Sequence, residues 1–203
     1  YRRAAEQHIE QARRYIVRED GSTFHTYYMD VRTGEPRFGN THQGFSDDSC
    51  WSRGQAWGVY GFLLNYLYTG DEKLLELSQT LANYFINRLP EDLICYWDLA
   101  LTDPRSERDS SASAILACGL LELVRQLPVS NPDRESYEAV ALRTLEKMID
   151  GYLNKQHRAG EGLLKHSVYH FNGNVGVNEC CSWGDYYLME AITRAMTSWN
   201  SYW

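Results

Sequence analysis

Six segments with helical periodicity, joined by alternately long and short connections, constrain the fold of this chain most strongly. The predicted helices span residues 2–18, 51–68, 72–88, 110–127, 133–153 and 183–200. The connections are long at 19–50, 89–109 and 154–182, and short at 69–71 and 128–132. If successive helices are antiparallel, every long loop lies at one end of the molecule, which we call the loop face. Loops on a rigid scaffold usually carry binding groups, so the loop face is predicted to be functional.

Helix composition divides these segments into two groups. Helices after long loops are rich in small or apolar residues, whereas helices after short turns carry many charges, as in DEKLLE at 71–76 and DRESYE at 133–138. This pattern predicts an inner ring of helices backed by an outer ring. Strand signal is confined to short pieces at 24–30 and 163–171.

The predicted inner helices would all direct their N-termini at the loop face. Convergent helix N-termini favour an anion, because their N–H groups are exposed and their dipoles are positive at that end. As individual residues, Asp47, Asp109 and Ser182 are each expected to cap one of these helices.

The charge balance argues against several classes of partner. There are 20 Lys and Arg against 27 Asp and Glu, without a basic run, so neither nucleic acid nor an anionic membrane surface is a predicted partner. No stretch approaches the length of a membrane span. The five cysteines form no CxxC motif and are interpreted as reduced thiols, which favours a cytoplasmic location. No cofactor is predicted.

The segment QGFSDDSCWSRGQAW, residues 43–57, is the densest candidate site. Arg53 and Trp57 are four residues apart and therefore neighbours on a helix face, as are Trp51 and Gln55. A guanidinium between indoles suits a sugar that carries a carboxylate. The alternative, which spacing alone slightly favours, is an arginine stacked on core aromatics. Gly54 and the glycine at 58 indicate that something approaches the helix backbone closely.

Four carboxylates at the loop face are weak candidates for general acid or base catalysis: Asp47, Asp48, Asp98 and Asp109. Asp47 and Asp48 are adjacent, point in different directions at a helix start, and one of them is needed as a cap. Asp98 follows two aromatic residues in a long loop. Asp109 is most simply the N-cap of the next helix.

Histidines and a tyrosine complete the candidate set. His25 lies in a strand signal, where it could bond a sugar hydroxyl or be structural. His166 and His170 are four apart, but KHSVYHF is predicted to be extended and lacks a third ligand, so no metal site is predicted. Tyr169 in the same segment could line the loop face.

Five segments, in this order, resemble unsaturated glucuronyl hydrolases of glycoside hydrolase family 88: DDSCWSRGQAWGVYGF, NRLPEDLICYWD, RDSSASAILACGLLEL, KHSVYH and WGDYYLMEA. The resemblance implies an all-α (α/α)6 barrel, or toroid. Residues 1–203 would form a single partial domain that supplies about the C-terminal half, and the missing N-terminal half of the barrel would be its partner.

The resemblance also implies a reaction and a substrate, an oligosaccharide with an unsaturated uronic acid. In this family an Asp protonates C4 of the C4=C5 double bond, and water activated by a carboxylate adds at C5. The resulting hemiketal opens and the sugar bond breaks. This differs from ordinary hydrolysis by two flanking carboxylates, which remains the alternative for the four candidates above.

Carried over position by position, six residues match the family's substrate-binding set: His25, Gln43, Trp51, Arg53, Trp57 and Tyr169. Arg53 would face the anionic end of the substrate. The family's catalytic Asp precedes the region where Tyr1 aligns, so no catalytic residue is expected in this chain and the isolated chain is expected to be inactive. The alternative is a non-catalytic carbohydrate-binding or helical scaffold module derived from the same fold.

Overall fold

The computed structural model describes residues 1–156 and 160–198, and these residues are mostly helical. The six α-helices are α1 Arg2–Tyr15, α2 Ser52–Thr69, α3 Glu72–Ile86, α4 Ser110–Gln126, α5 Arg134–Lys147 and α6 Ser182–Met196. All six match predicted segments. The fifth continues beyond α5 as a π-helical turn, Met148–Tyr152, and the last ends at Met196, while its predicted end at residue 200 lies outside the described residues.

Among the described residues, four short strands form two antiparallel hairpins within the long connections, so the predicted all-α architecture holds only for the scaffold. They are β1 Thr26–Met29, β2 Pro36–Asn40, β3 Ser167–His170 and β4 Val175–Glu179. The sequence pattern indicated the first strand of each hairpin but not the second. β2 begins at a proline, and three of the five residues of β4 are a glycine, an asparagine and a glutamate, so neither carries the usual strand composition.

Helix α4 is the centre of the scaffold. Every residue from Ser110 to Val124 is buried, and the helix packs extensively against α2, α5 and α6. Small residues permit this close packing: a Cβ on Gly119 would lie 3.1 Å from Val59 Cγ1 on α2. The apolar helices α2, α4 and α6 therefore lie side by side, with α3 behind α2 and α5 behind α4, as the two composition groups predict.

A buried polar cluster ties α2, α4 and α6 together at the end away from the loop face. Arg194 Nε donates to Glu190 Oε1 at 2.8 Å, and its NH2 donates to Tyr60 Oη at 2.6 Å. Its NH1 donates to Glu122. Burial and the hydrogen bond to Glu190 raise the pKa of Tyr60. Both carboxylates form ion pairs with Arg194, and Glu122 also lies 3.8 Å from Arg125, so the cluster joins three helices through paired charges.

The long connections meet at one end, as predicted. Trp51 and Asp98 form an isolated bridge between the first and second long loops, and Ser110 N donates to His166 O of the third at 3.1 Å. Helix α1 lies outside this arrangement, since every one of its residues is exposed or only partly buried.

Candidate functional site

The tip of the β3–β4 hairpin is fastened to the first two long loops. The Phe171 ring stacks on Trp97 with centroids 4.4 Å apart, and Trp97 also meets Phe45 edge-on at 6.3 Å. Asn172 Nδ2 donates to Gly44 O at 2.9 Å. Three segments that are distant in sequence therefore form one continuous surface.

Asp98, a weak candidate for acid or base catalysis, holds the first long loop in place. Its fully buried carboxylate accepts hydrogen bonds from the backbone N–H groups of Phe45 at 2.9 Å, Cys50 at 3.3 Å and Ala100 at 3.0 Å, and from Ser49 Oγ at 2.6 Å. A carboxylate with this many donors is committed to positioning the backbone.

Asp109 caps α4, as predicted, and also forms a buried ion pair. Its Oδ1 accepts from Ser111 N at 3.2 Å and Ala112 N at 3.4 Å, and its Oδ2 accepts from Arg53 NH1 at 3.2 Å. Burial raises the pKa of Asp109, an effect that the Arg53 guanidinium opposes. The side chain is fully buried, so its surroundings indicate a structural role.

The Arg53 guanidinium is engaged within the chain. Its NH1 donates to Val168 O at 2.5 Å and its NH2 to Tyr169 O at 2.9 Å, in addition to the ion pair with Asp109. It lies 4.7 Å from the Trp51 ring and 5.1 Å from the Trp183 ring. The observed geometry therefore agrees with the interpretation of Arg53 as an arginine stacked on aromatic rings. Contact between Arg53 and a substrate anion stays a prediction. Arg53 also fastens β3 to the start of α2.

His25 is held as a neutral donor. Its Nδ1 accepts the backbone N–H groups of His42 at 2.9 Å and Gln43 at 3.0 Å, which leaves the proton of the neutral ring on Nε2. Burial lowers the pKa of His25 to about 4, and the positive charges of His42, Arg53 and His170 add to the effect. Near neutral pH this ring can donate one hydrogen bond and carries no charge.

The six predicted contact residues differ in exposure: an outer pair is exposed, an inner pair is buried, and His25 and Gln43 are partly buried. Tyr169 and Trp57 are 49% and 37% exposed, whereas Trp51 is 8% and Arg53 is 3% exposed. Gln43 is partly buried, and its Nε2 donates to Tyr169 O at 2.5 Å. Of this set, the outer pair has the most surface available to a ligand, and the inner pair supports it.

The sequence predicts that something approaches the backbone of α2 closely at its glycines, and in the structure side chains of the protein itself do so. A Cβ on Gly54 would lie 2.8 Å from Trp51 Cε3, because the indole folds back over the first turn of the helix. A Cβ on Gly58 would lie 3.1 Å from Leu81 Cδ2. A cavity of about 430 Å³ opens beside this face, lined by His25, Trp51, Trp57 and residues of α1 and α2.

Two of the predicted helix caps are wrong. The N-cap residues of α2 and α6 are Trp51 and Cys181, and neither makes a side-chain cap hydrogen bond, so Asp47 and Ser182 do not have that role. Asp133 occupies the N-cap position of α5 but its side chain caps nothing there. Asp47 instead accepts from Thr41 N at 3.0 Å, and both Asp47 and Asp48 are exposed.

Within the part of the chain that the structure describes, the cysteines and histidines show no sign of a metal centre. Among residues 1–156 and 160–198, no group of three or more His, Cys, Asp or Glu side chains could hold a metal ion. All five cysteines are free, and burial raises the pKa of Cys95 to about 12, as expected for an unreactive thiol. His170 belongs to β3, and its ring stacks on His42 at 5.2 Å.

Comparison with known proteins places the chain in a family. The sequence profile of Glycosyl Hydrolase Family 88 matches residues 1–197. The chain belongs to that family. It is 44% identical to the unsaturated chondroitin disaccharide hydrolase of Streptococcus pyogenes serotype M1, over 100% of this chain and 51% of the relative. It is 45% identical to the unsaturated glucuronyl hydrolase of Bacillus sp. (strain GL1), over 100% of this chain and 54% of that protein.

Solved structures agree with this family 88 assignment. The crystal structure of the Bacillus sp. GL1 unsaturated glucuronyl hydrolase superposes with a TM-score of 0.92 at 45% identity, over 96% of this chain and 52% of that one. A mutant Streptococcus agalactiae unsaturated glucuronyl hydrolase, complexed with dGlcA-GalNAc6S, also gives 0.92 and 45%, over 100% of this chain and 54% of that one. This family 88 chain therefore spans about half the length of the relatives it matches.

Two aromatic residues of α6 join the site but were not singled out from the sequence. The Trp183 ring lies 5.7 Å from that of Tyr169, and the Tyr187 ring meets Trp57 edge-on at 5.1 Å. Both occur in WGDYYLMEA, a segment that carried the family 88 resemblance, and their position at the start of an inner helix was the available signal.

Within the described residues, no helix is both long and apolar enough to cross a membrane.

Proposed function

We propose that the protein carrying this chain hydrates the C4=C5 double bond of an unsaturated uronic acid at the non-reducing end of lyase-generated oligosaccharides and releases the uronate. The observation that carries the proposal is the 44–45% identity, over the whole chain, to hydrolases named for such substrates. The loop face supports it, because it holds a neutral histidine donor and because the Arg53 guanidinium bonds the backbone of the exposed Tyr169.

The residues of this chain bind and orient the sugar in the proposed reaction. The Nε2–H of His25 donates to a hydroxyl, and the exposed rings of Trp57 and Tyr169 pack against apolar C–H faces. The uronate carboxylate faces Arg53 and the N-termini of the inner helices, and the helix dipoles supply positive potential there while Asp109 pairs with the guanidinium. Protonation at C4 develops oxocarbenium-like charge, which a preorganised polar site stabilises.

The proton donor lies outside this chain in our proposal. Asp98 and Asp109 are fully buried and engaged in structural hydrogen bonds, while Asp47 and Asp48 are exposed and Asp47 is bonded to the backbone of Thr41. We therefore assign general acid catalysis to an Asp in the rest of the protein. On this account the isolated chain does not turn over substrate.

The partner of this chain is the other half of an (α/α)6 barrel. We propose that residues 1–203 form a single partial domain, the C-terminal half, with α2, α4 and α6 in the inner ring. Exposed apolar side chains on α2 and α6 support this arrangement, since Trp57, Tyr186 and Met189 are 37%, 39% and 52% exposed. An N-terminal half-barrel would cover part of that surface.

The test follows the ultraviolet absorbance of the conjugated double bond. The full-length protein is mixed with unsaturated disaccharides produced by a polysaccharide lyase, and the absorbance is expected to fall as the bond is hydrated. The isolated 203-residue chain is the control and should give no decrease. If the full-length protein produces no decrease at any pH tested, the proposed activity is wrong.

A further inference from the structure

We propose that Trp183, in the first turn of α6, is a further substrate-contact residue, and that Ser111 is the positioning residue that holds its indole. The inference rests on the proposed function and deepens it. The ligand is the apolar face of a pyranose ring in the unsaturated oligosaccharide.

The hydrogen bonds of Trp183 fix the orientation of its ring. Its Nε1 donates to Ser111 Oγ at 3.2 Å, and Ser111 Oγ in turn donates to Asp109 Oδ1 at 2.5 Å. The buried Asp109 is itself held by Arg53. The indole N–H is therefore satisfied within the protein, so the partly exposed part of the ring that remains is apolar.

The Trp51 and Trp183 rings both lie against the Arg53 guanidinium but differ in how much of their surface is exposed. Trp51 is 8% exposed and its ring also meets His25 at 4.4 Å, so little of its surface is accessible. Trp183 is partly exposed, and its ring lies 5.7 Å from that of Tyr169, which is 49% exposed. Because these two centroids are so close, a single pyranose ring can contact both side chains.

The backbone beneath Trp183 is tightly packed, which preorganises the indole. A Cβ on Gly184 would lie 3.1 Å from Cys181 Sγ, 3.2 Å from Ser167 Oγ and 3.3 Å from Ser111 Cβ. The first turn of α6 therefore sits against β3 and the start of α4. A ring already fixed in this way loses little conformational entropy when a ligand binds.

Steady-state kinetics of the full-length protein test the proposal. Trp183→Ala is expected to raise KM for the unsaturated disaccharide about five- to tenfold, with a smaller change in kcat, because ring stacking is lost. Trp183→Phe should recover most of the affinity. Ser111→Ala should raise KM by a smaller factor, since the ring remains but is no longer held. The matched control is Tyr68→Ala, which removes a 64% exposed ring at the far end of α2 and should leave KM unchanged.

A second measurement separates this inference from the proposed function and from failure to fold. The protein is labelled with fluorotryptophan, and the 19F resonance of Trp183 is identified by its absence in Trp183→Phe. Addition of the unsaturated disaccharide is expected to shift that resonance. An unmoved resonance, or an unchanged KM in Trp183→Ala, overturns the inference. Absence of turnover by the unsubstituted protein overturns the proposed function instead, and the 19F titration still tests the contact.

Discussion

Two buried arginines, one at each end of α4, are bound by carboxylates in similar ways but have different surroundings. Arg194 bonds Tyr60, Glu122 and Glu190, which all lie on scaffold helices. Arg53 bonds Asp109 and, in addition, two backbone carbonyls of β3, and it lies against two indoles. The same chemistry thus fastens helices to each other at one end and fastens the loop face to the helices at the other.

The largest expected effect is at the scaffold cluster. Arg194→Met leaves Glu122 and Glu190 buried without their guanidinium, and the free energy of unfolding should fall by about 3–5 kcal/mol. Denaturant unfolding of the full-length protein measures this loss. The control Arg143→Met, at an exposed position of α5, should change stability by less than about 0.5 kcal/mol. Similar losses in the two variants would contradict a structural role for the cluster.

Breaking the ion pair between Arg53 and Asp109 at the loop face should lower stability less than Arg194→Met does, and it should weaken substrate binding more. Asp109→Asn keeps a cap for α4 but breaks the ion pair that anchors Arg53 between the Trp51 and Trp183 rings. We expect a loss of about 2–3 kcal/mol, together with a higher KM because these rings are less firmly held. Asp71→Asn, at the exposed cap of α3, is the control and should cost less than about 0.5 kcal/mol. A stability loss without any change in KM would make Arg53 a scaffold residue like Arg194.

The histidine beneath Trp51 makes the loop face sensitive to acid. The folded state lowers the pKa of His25 from 6.5 to about 4, so the unfolded state binds the proton more readily in between. The free energy of unfolding should therefore decrease as pH falls from 6.5 to 4. His25→Asn retains an acceptor near the backbone N–H groups of His42 and Gln43 but does not titrate. Unfolding curves across this range should be flatter for the variant, and equal slopes would refute the assignment.

The smallest expected effect is a change in stability when either of two glycines of α2, Gly54 or Gly61, is replaced by alanine. Alanine is favoured over glycine in a helix by about 1 kcal/mol, and a Cβ on Gly61 meets nothing within 4 Å, so Gly61→Ala should raise stability by about that amount. On Gly54 the Cβ would lie 2.8 Å from the Trp51 ring. Gly54→Ala should therefore lower stability and change Trp51 fluorescence. If both variants were equally stabilised, the contact between Trp51 and the helix would be incorrect.

Periodicity predicted the scaffold, because a helix that packs on one side repeats its apolar residues every three or four positions. The N-caps at Asp71 and Asp109 were also predictable, since each side chain bonds N–H groups two or three residues away. The missing caps at Asp47 and Ser182 show where this local rule fails. The start of α2 is set instead by a bridge to another loop, between Trp51 and Asp98.

Sequence by itself determined the helices, the division into inner and outer groups, the common end of the long loops and the resemblance to family 88. Tertiary structure decided what the site residues do. Arg53 meets a carboxylate 56 residues away and a backbone carbonyl 116 residues away, and Trp183 meets a hydroxyl 72 residues away. Such contacts depend on how distant segments dock, which no local spacing encodes. They decide which rings are buried and which remain exposed at the loop face.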